Sequence, residues 1–259
     1  MTMATCASLA NYLDQLLDVA QHPDYPNALN GLQFANNGTI GRIGAAVDFS
    51  LEIVQKSRAS NIDFLIVHHG MFWGGLQRVV GAAHDRIRAL VEANLAVYAA
   101  HLPLDSHSEL GNAALLARQL GLQPNGGFAQ YSNVYVGVRG ESDIATSDLI
   151  ESLTRFAAEH GSVVRASDNP PHQRTKRWAI CTGSGASTET LRSAGQEGID
   201  TLIVGEGPHH TAVEARELGI TVIYAGHYAT ETLGVQAIAE RAAAEYRIPW
   251  QFLSAPTGL

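Results

Sequence analysis

The chain has 259 residues, of which 46% are hydrophobic and 16% are charged, a composition typical of a globular protein and not of a disordered one. Acidic residues number 25 against 17 lysines and arginines, for a net charge of -8, which argues against nucleic acid or a membrane surface as partner. Residues 1–20 lack the basic start and long apolar stretch of a secretory signal, and the two cysteines lie far apart, so we expect a cytoplasmic protein.

The predicted elements begin with an amphipathic helix over residues 1–20. After residue 40, short apolar strands alternate with helical stretches, which is the pattern of parallel α/β units. The predicted strands are 43–47, 64–67, 96–100, 134–138, 178–181, 201–204 and 221–224. The predicted helices are 51–60, 84–93, 112–120, 147–160, 188–197, 211–218 and 231–246. The alternation indicates an α/β fold.

Two polar segments interrupt this alternation. Pro124-Asn125-Gly126-Gly127 is predicted to be a loop that separates a first lobe, residues 1–124, from a second lobe, residues 125–259. This division leaves open that the C-terminal helix packs back on the first lobe. Ser167-Asp168-Asn169-Pro170-Pro171 is predicted to be a turn that proline stiffens.

The sequence contains an internal repeat. Residues 50–67 align without a gap on residues 187–204, at an offset of 137, with seven identities in eighteen positions. A second match, at an offset of 126, pairs Tyr98-Ala99-Ala100-His101 with Tyr224-Ala225-Gly226-His227. Buried strands resemble one another in any α/β protein, but that does not explain the matched histidine with an acid four residues later. The repeat therefore predicts two similar lobes that arose by duplication.

Histidines and carboxylates follow three of the predicted strands, at the carboxyl edge where functional groups of open α/β sheets gather. These residues are His68, His69, His101, Asp105, His227 and Glu231. Neighbouring side chains on a strand point to opposite faces, so His68 and His69 converge only if the strand has ended and Gly70 lets the backbone turn. We expect the three strand ends to meet in one crevice.

The residue types at these strand ends are those of a metal site. Nitrogen and oxygen ligands together suit zinc, iron or manganese, and no cysteine lies nearby for a structural zinc site. Ligands in this number, two of them carboxylates, exceed the needs of one catalytic zinc, so we predict two divalent metal ions. The predicted ligands are His68, His69, Asp105, His227 and Glu231. For His101 we favour an ordinary hydrogen bond, or a contact that orients Asp105.

Two further motifs admit more than one interpretation. In Glu206-Gly207-Pro208-His209-His210, His209 and His210 either line the crevice as catalytic proton carriers or substrate contacts, or simply open the next helix. Thr182-Gly183-Ser184-Gly185-Ala186-Ser187 is interpreted as a tight turn with Ser187 as N-cap, in preference to an anion site. Cys181 is interpreted as a core residue and not as a nucleophile.

Several short motifs and their order along the chain resemble those of the Nif three-like dinuclear metal-centre family, often catalogued as GTP cyclohydrolase 1 type 2 homologues. The resemblance extends from about residue 5 to the C-terminus. Its motifs are Asn30-Gly31-Leu32-Gln33, Ala46-Val47-Asp48, His68-His69-Gly70 with Phe72-Trp73, His101-Leu102-Pro103-Leu104-Asp105, Gly205-Glu206-Gly207-Pro208-His209-His210 and Ala225-Gly226-His227-Tyr228-Ala229-Thr230-Glu231.

The resemblance implies two intertwined three-layer α/β/α lobes, assembled into a toroidal homo-hexamer with metal sites facing an internal cavity. It places the same five residues in the ligand roles, with Glu231 as a bridge and His101 close to the metals. The short span from Asn125 to Lys176 implies the compact form, without the inserted domain of some relatives.

Two functions follow as hypotheses. The first is a metal-dependent hydrolase acting on a nucleotide or another small molecule with a phosphate, amide or ring, in which His101 or His210 moves protons. GTP ring opening is the catalogued label, but the sequence contains no guanine-reading motif. The second is a non-catalytic protein that stores, delivers or senses metal, or serves as a ring-shaped scaffold.

Overall fold

A computed structural model describes residues 4–167 and 174–259 of the chain. The predicted proline turn after Ser167 lies outside these residues. The chain forms two compact units. The first runs to Leu104 and resumes at Gly234–Ala255, and the second consists of the intervening chain and Pro256–Leu259. The units are thus interleaved along the sequence, as the resemblance implied.

Each predicted helix and strand is present, but the alternation is broken where two strands follow one another over residues 124–145. The helices are α1 (Cys6–Leu17), α2 (Leu51–Ala59), α3 (Ala82–Ala93), α4 (Leu102–Asp105), α5 (Asn112–Gln119), α6 (Thr146–Glu159), α7 (Thr188–Gln196), α8 (His209–Leu218), α9 (His227–Thr230) and α10 (Thr232–Tyr246), with a 3-10 turn at Val19–Gln21. The strands are β1 (Gly31–Phe34), β2 (Ile43–Asp48), β3 (Phe64–His69), β4 (Ala96–Ala99), β5 (Pro124–Tyr131), β6 (Val134–Ala145), β7 (Arg165–Ala166), β8 (Arg174–Cys181), β9 (Thr201–Val204), β10 (Thr221–Tyr224) and β11 (Trp250–Phe252). Within this described part, no helix combines the length and the apolar character needed to cross a membrane.

The first unit is a three-layer α/β/α structure. Its sheet has the order β1-β4-β3-β2-β11, with β1 antiparallel and the other neighbours parallel. Leu65 and Val67 of β3 pack with residues of α2 and α3 on one face. On the other face, the Tyr98 hydroxyl donates to Asp14 Oδ1 of α1 at 2.8 Å, and the Tyr246 hydroxyl of α10 donates to the Ser8 carbonyl oxygen at 2.8 Å.

The second unit repeats this layering. Its sheet has the order β5-β6-β8-β9-β10-β7, in which β8, β9 and β10 are parallel. Leu202 and Val204 of β9 pack with α7 and α8, whereas Ile203 packs on the opposite face with α5 and α6. The strand alternation buries both faces of the sheet, which explains the continuous apolar run of β9.

Equivalent residues of the two units make equivalent bonds, which confirms the duplication. Ser50 and Ser187 cap α2 and α7 with nearly the same backbone angles, φ -147° and ψ 165° against φ -146° and ψ 164°. Asp63 Oδ2 accepts from the backbone N–H of Gly41 and Arg42, and Asp200 Oδ2 accepts from that of Lys176 and Arg177. A chance likeness between two β-α-β units does not reproduce such bonds.

The segment that begins at Pro124 is a strand, so the prediction of a loop there is wrong. Residues 124–131 form β5, which pairs with β6 at the edge of the second sheet. An edge strand tolerates proline at its first position, because that position need not donate to a neighbour. Gly127 lies under the Tyr135 ring, where a Cβ atom would be 2.5 Å from Tyr135 Cγ, so its glycine reflects close packing and not a turn.

Candidate metal centre

Three histidines of the first unit come together at the carboxyl edge of its sheet. The ring centroids of His68 and His69 lie 4.9 Å apart, and those of His68 and His101 also lie 4.9 Å apart. One ring nitrogen from each of the three lies within 4.8 Å of the other two. All three residues are buried. Imidazoles in this arrangement can hold a metal ion.

The two adjacent histidines converge although both belong to β3. We expected the strand to end before them, but β3 continues to His69, which pairs with Asp48 of β2. Each ring is hydrogen-bonded to a neighbouring segment: His68 Nδ1 donates to the Ala100 carbonyl oxygen, just after β4, at 2.8 Å, and His69 Nδ1 donates to Asp48 Oδ1 of β2 at 2.9 Å. The turn comes directly afterwards at Gly70, where a Cβ atom would overlap the side-chain amide of Gln33.

The hydrogen bonds of these rings select one tautomer. A carbonyl or carboxylate oxygen can only accept, so Nδ1 of His68 and His69 carries the proton and, in the neutral ring, Nε2 presents a lone pair. His101 follows the same rule, because its Nδ1 lies 2.9 Å from Asp24 Oδ1. Metal-binding histidines in proteins are held in this way.

Asp24 is the buried anchor of His101. Its Oδ2 accepts from Asn30 Nδ2 at 2.7 Å and from the Leu102 backbone N–H at 2.9 Å. Burial raises the pKa of the Asp24 carboxyl, but the hydrogen bond and charge of His101, with the bonds from Asn30 and Leu102, outweigh burial and lower it. Asp24 is therefore an anion that fixes the His101 ring.

Trp73 packs against the same histidines. Its ring centroid lies 4.7 Å from that of His69 and 4.5 Å from that of His101, and 39% of the residue remains exposed. The indole thus covers part of the histidine cluster while it keeps one surface in solvent.

The second unit holds a carboxylate–imidazole pair. His227 begins α9 and Glu231 follows that helix, and His227 Nε2 lies 3.0 Å from Glu231 Oε2, as the spacing of four residues predicts. His227 Nδ1 lies 2.7 Å from Glu206 Oε1. Burial lowers the pKa of His227, but bonds to Glu231 and Glu206 and their charges outweigh it and raise the pKa to about 9. In the metal-free protein, His227 is therefore an imidazolium between two carboxylates.

The glycine-rich turn of the second unit lies against this pair. Gly183 has φ +60°, and a Cβ atom there would overlap Glu231 Oε1. Ser187 accepts from the Thr190 backbone N–H at 3.0 Å, so the prediction of a tight turn with an N-cap is confirmed. The turn follows Cys181, whose pKa is raised to about 12, first by burial and then by the charges of Asp105 and Glu231. The prediction that Cys181 is a core residue is likewise confirmed.

The two remaining predicted site residues also lie in the second unit. Asp105 ends α4, and its Oδ1 accepts from Asn112 Nδ2 at 2.9 Å. Its charge acts on Cys181 together with that of Glu231, so the two carboxylates share one neighbourhood. His210 is exposed on the first turn of α8, whose N-cap is Pro208, so it does take part in the start of a helix.

A sequence profile of the Duf34/NIF3 (NGG1p interacting factor 3) family matches residues 4–256. The chain belongs to this family. It is 38% identical over 253 residues to the GTP cyclohydrolase 1 type 2 homolog of Deinococcus radiodurans, covering 97% of this chain and 93% of that one. It is 43% identical over 240 residues to the GTP cyclohydrolase 1 type 2 homolog of Halobacterium salinarum, covering 91% of this chain and 93% of that one.

The solved structures support the same membership. The crystal structure of TTHA1606 from Thermus thermophilus superimposes with a TM-score of 0.84 at 37% sequence identity, over 98% of this chain and 99% of that one. The resemblance drawn from the motifs is confirmed, and so is the two-lobe α/β fold expected of a Duf34/NIF3 protein.

Sequence reasoning missed the carboxylates that orient the imidazoles of this Duf34/NIF3 chain. Glu206 aligns with His69 in the internal repeat, so the repeat contained a signal for it. Asp48 stands in one of the recognised motifs, at the end of β2. Asp24 precedes His101 by 77 residues and belongs to no local pattern, so only the fold shows its role.

Proposed function

We propose that this protein binds two divalent metal ions through His68, His69, Asp105, His227 and Glu231. We further propose that it uses them to hydrolyse a nucleotide or another small molecule with a phosphate or amide group. The observation that carries the proposal is the tautomer of the histidines in the first unit. Their Nδ1–H groups donate to oxygen acceptors, which is the tautomer in which Nε2 carries the lone pair that a metal ion binds.

The donor set fits such ions. The five proposed ligands offer three imidazoles and the carboxylates of Asp105 and Glu231. Mixed nitrogen and oxygen donors suit zinc, iron(II) or manganese. Glu231 is the proposed bridge, because a buried carboxylate has two oxygens to offer. The proton that His227 holds between Glu231 and Glu206 would leave on metal binding.

When bound, the metals would supply Lewis acidity toward water and toward an oxygen of the substrate. The protein's own residues would position and protonate the reactants. Asp24 holds His101 with Nε2 available, so His101 is the first proposed proton carrier and His210 the second. Trp73 would shield the rings of His69 and His101 from bulk water.

We propose a homo-hexamer as the assembly, in line with the family resemblance. Support comes from the edge of the first sheet, where, among residues 4–167 and 174–259, β1 pairs with β4 and with no other strand. The exposed apolar residues Tyr25, Leu29 and Leu32 lie on and just before this strand. An open strand edge with apolar neighbours is a surface that proteins normally cover. Light scattering would measure the mass of the assembly.

Anaerobic purification followed by elemental analysis tests the metal centre. We expect about two metal ions per chain in the wild type and a clear loss in His69→Ala and Glu231→Ala, with His84→Ala on α3 as the control. Assays against nucleotides and phosphoesters then test hydrolysis. Turnover that persists in both metal-free variants would overturn the proposal. Metal transfer to an apo-enzyme, with no turnover of any substrate, would favour metal handling.

A further inference from the structure

An apolar pocket of about 100 Å³ opens beside the histidine cluster of the first unit. Its walls are formed by Phe49, by the segment that follows β3 and by one side of α3. The lining residues include Phe49, Met71, Phe72, Ala83, Arg86 and Ile87.

Two hydrogen bonds hold the walls of this pocket beside the candidate ligand His69. The Phe49 N–H donates to the His69 carbonyl oxygen at 2.9 Å, and Phe49 directly follows Asp48, the acceptor of the His69 ring. The Met71 N–H donates to Gln33 Oε1 at 2.6 Å, which holds the chain as it leaves the histidines. A molecule in the pocket would therefore contact Phe49, which is hydrogen-bonded to the His69 backbone, and Met71, which follows His69 by two positions.

Arg86 is the one cation in the pocket wall, and it has no counter-ion among residues 4–167 and 174–259. Arg88, on the same helix, lies within 3.6 Å of an Asp85 oxygen and 4.0 Å of a Glu92 oxygen. Arg86 is half-buried in the wall and takes no part in this network. A half-buried guanidinium beside an apolar cavity favours a ligand that brings its own negative charge.

The size of the pocket limits what it can take. Pockets that enclose a whole drug-sized ligand measure roughly 300–1,000 Å³, so this one holds a single group of a larger molecule. We propose that it binds a short apolar group attached to an anionic group, with the apolar part among Phe49, Met71 and Ile87 and the charge at Arg86. This assigns an amphipathic anion as the substrate class, a step that rests on the proposed function.

Short carboxylates test the pocket directly. Butanoate, hexanoate and octanoate, each with its matching primary alcohol, would be titrated calorimetrically into the full-length protein, as purified and after chelation. Each added CH₂ should tighten binding about four-fold until the pocket is full, since burial of one methylene contributes about 0.8 kcal/mol. The carboxylates should bind more tightly than the alcohols, because only they meet Arg86.

Two pairs of variants locate the binding. Arg86→Gln should reduce carboxylate binding to the level of the alcohol, whereas Arg88→Gln on the same helix should leave it unchanged. Ala83→Phe should fill the cavity and abolish binding of both probes, whereas Ala82→Phe, an exposed neighbour, should not. Thermal unfolding tests whether Ala83→Phe still folds. If Ala83→Phe does not fold, the comparison of Arg86→Gln with Arg88→Gln decides the proposal.

The proposal fails if no carboxylate binds saturably, if Arg86→Gln and Arg88→Gln behave alike, or if binding disappears on chelation, which would place the carboxylate on metal. It also fails if Ala83→Phe changes the mass of the assembly without changing carboxylate binding, because a second copy would then cover the pocket. If the carboxylates bind but the purified protein contains no metal, the proposed function is wrong and the pocket proposal stands. If the protein contains two metal ions but binds no carboxylate, the pocket proposal is wrong and the proposed function stands.

Discussion

Gly183 and Glu231 are in such close contact that the Glu231 carboxylate occupies the space a side chain at residue 183 would need. The absence of a side chain at Gly183 therefore leaves room for the carboxylate of Glu231, a candidate metal ligand. Its positive φ adds a second reason for glycine, since other residues in that conformation cost roughly 1–2 kcal/mol.

Gly183→Ala should displace Glu231 and lower the metal content measured by elemental analysis. Gly219→Ala is the matched control, because Gly219 has φ +69° and, apart from its chain neighbours, no described residue has an atom within 4 Å of its Cβ position. Both variants should lose about 1 kcal/mol or more of unfolding free energy, but only Gly183→Ala should lose metal. In the Gly183→Ala, Glu231→Asp double variant, the shorter carboxylate leaves room for the alanine side chain, so part of the metal content should be restored. Equal metal content in the two single variants would refute this role.

Asp48→Asn should weaken metal binding about 10- to 100-fold without unfolding the protein, because the amide no longer enforces the tautomer of His69. Competition with a chelating dye would measure the affinity. Asp85→Asn, at a half-buried carboxylate on α3, serves as the control. An affinity unchanged in Asp48→Asn would show that the Asp48–His69 bond does not support metal binding.

Metal-free protein should show the raised pKa of His227. A pKa of about 9 in the folded chain, against 6.5 for an ordinary histidine, means that the protonated ring stabilises the fold fully below pH 6.5. This contribution should be lost as the pH rises through about 9. An NMR titration of the His227 ring gives the pKa directly, and Glu206→Gln should lower it. A ring that titrates near 6.5 would contradict the arrangement.

Ser50→Ala and Ser187→Ala should each cost about 1 kcal/mol of unfolding free energy, because each removes the side-chain acceptor at a helix N-terminus. Urea unfolding measures the loss, and the serines belong to separate units, so the losses should add in the double variant. Thr154→Ala, an exposed hydroxyl within α6, is the control. A loss in only one of the two serine variants would argue against their equivalence.

The elements that the sequence predicted well are those with strong periodic patterns. The strands β2, β3, β4, β9 and β10 and the second half of β8 consist mainly of apolar residues, with helices between most of them, and the repeat predicted that the two units are equivalent. Short edge strands such as β1 and β11 carry too few residues for a pattern. The β5 strand resembles a loop in sequence because its glycines are also typical of turns, although Gly127 serves close packing under Tyr135. Asp24 could not be predicted, since its role depends on a contact that only folding creates.

The return of the chain to the first unit has a consequence for how the protein is made. Strand β11 pairs with β2, where Trp250 lies opposite Ile43, and α10 lies against α1 through Tyr246 and Tyr12. Until about residue 255 has emerged from the ribosome, the nascent first unit lacks an outer strand and one of its covering helices. The sheet of the first unit therefore stays incomplete at its β2 edge during synthesis. The second unit, almost all of which has been synthesised by then, can already fold.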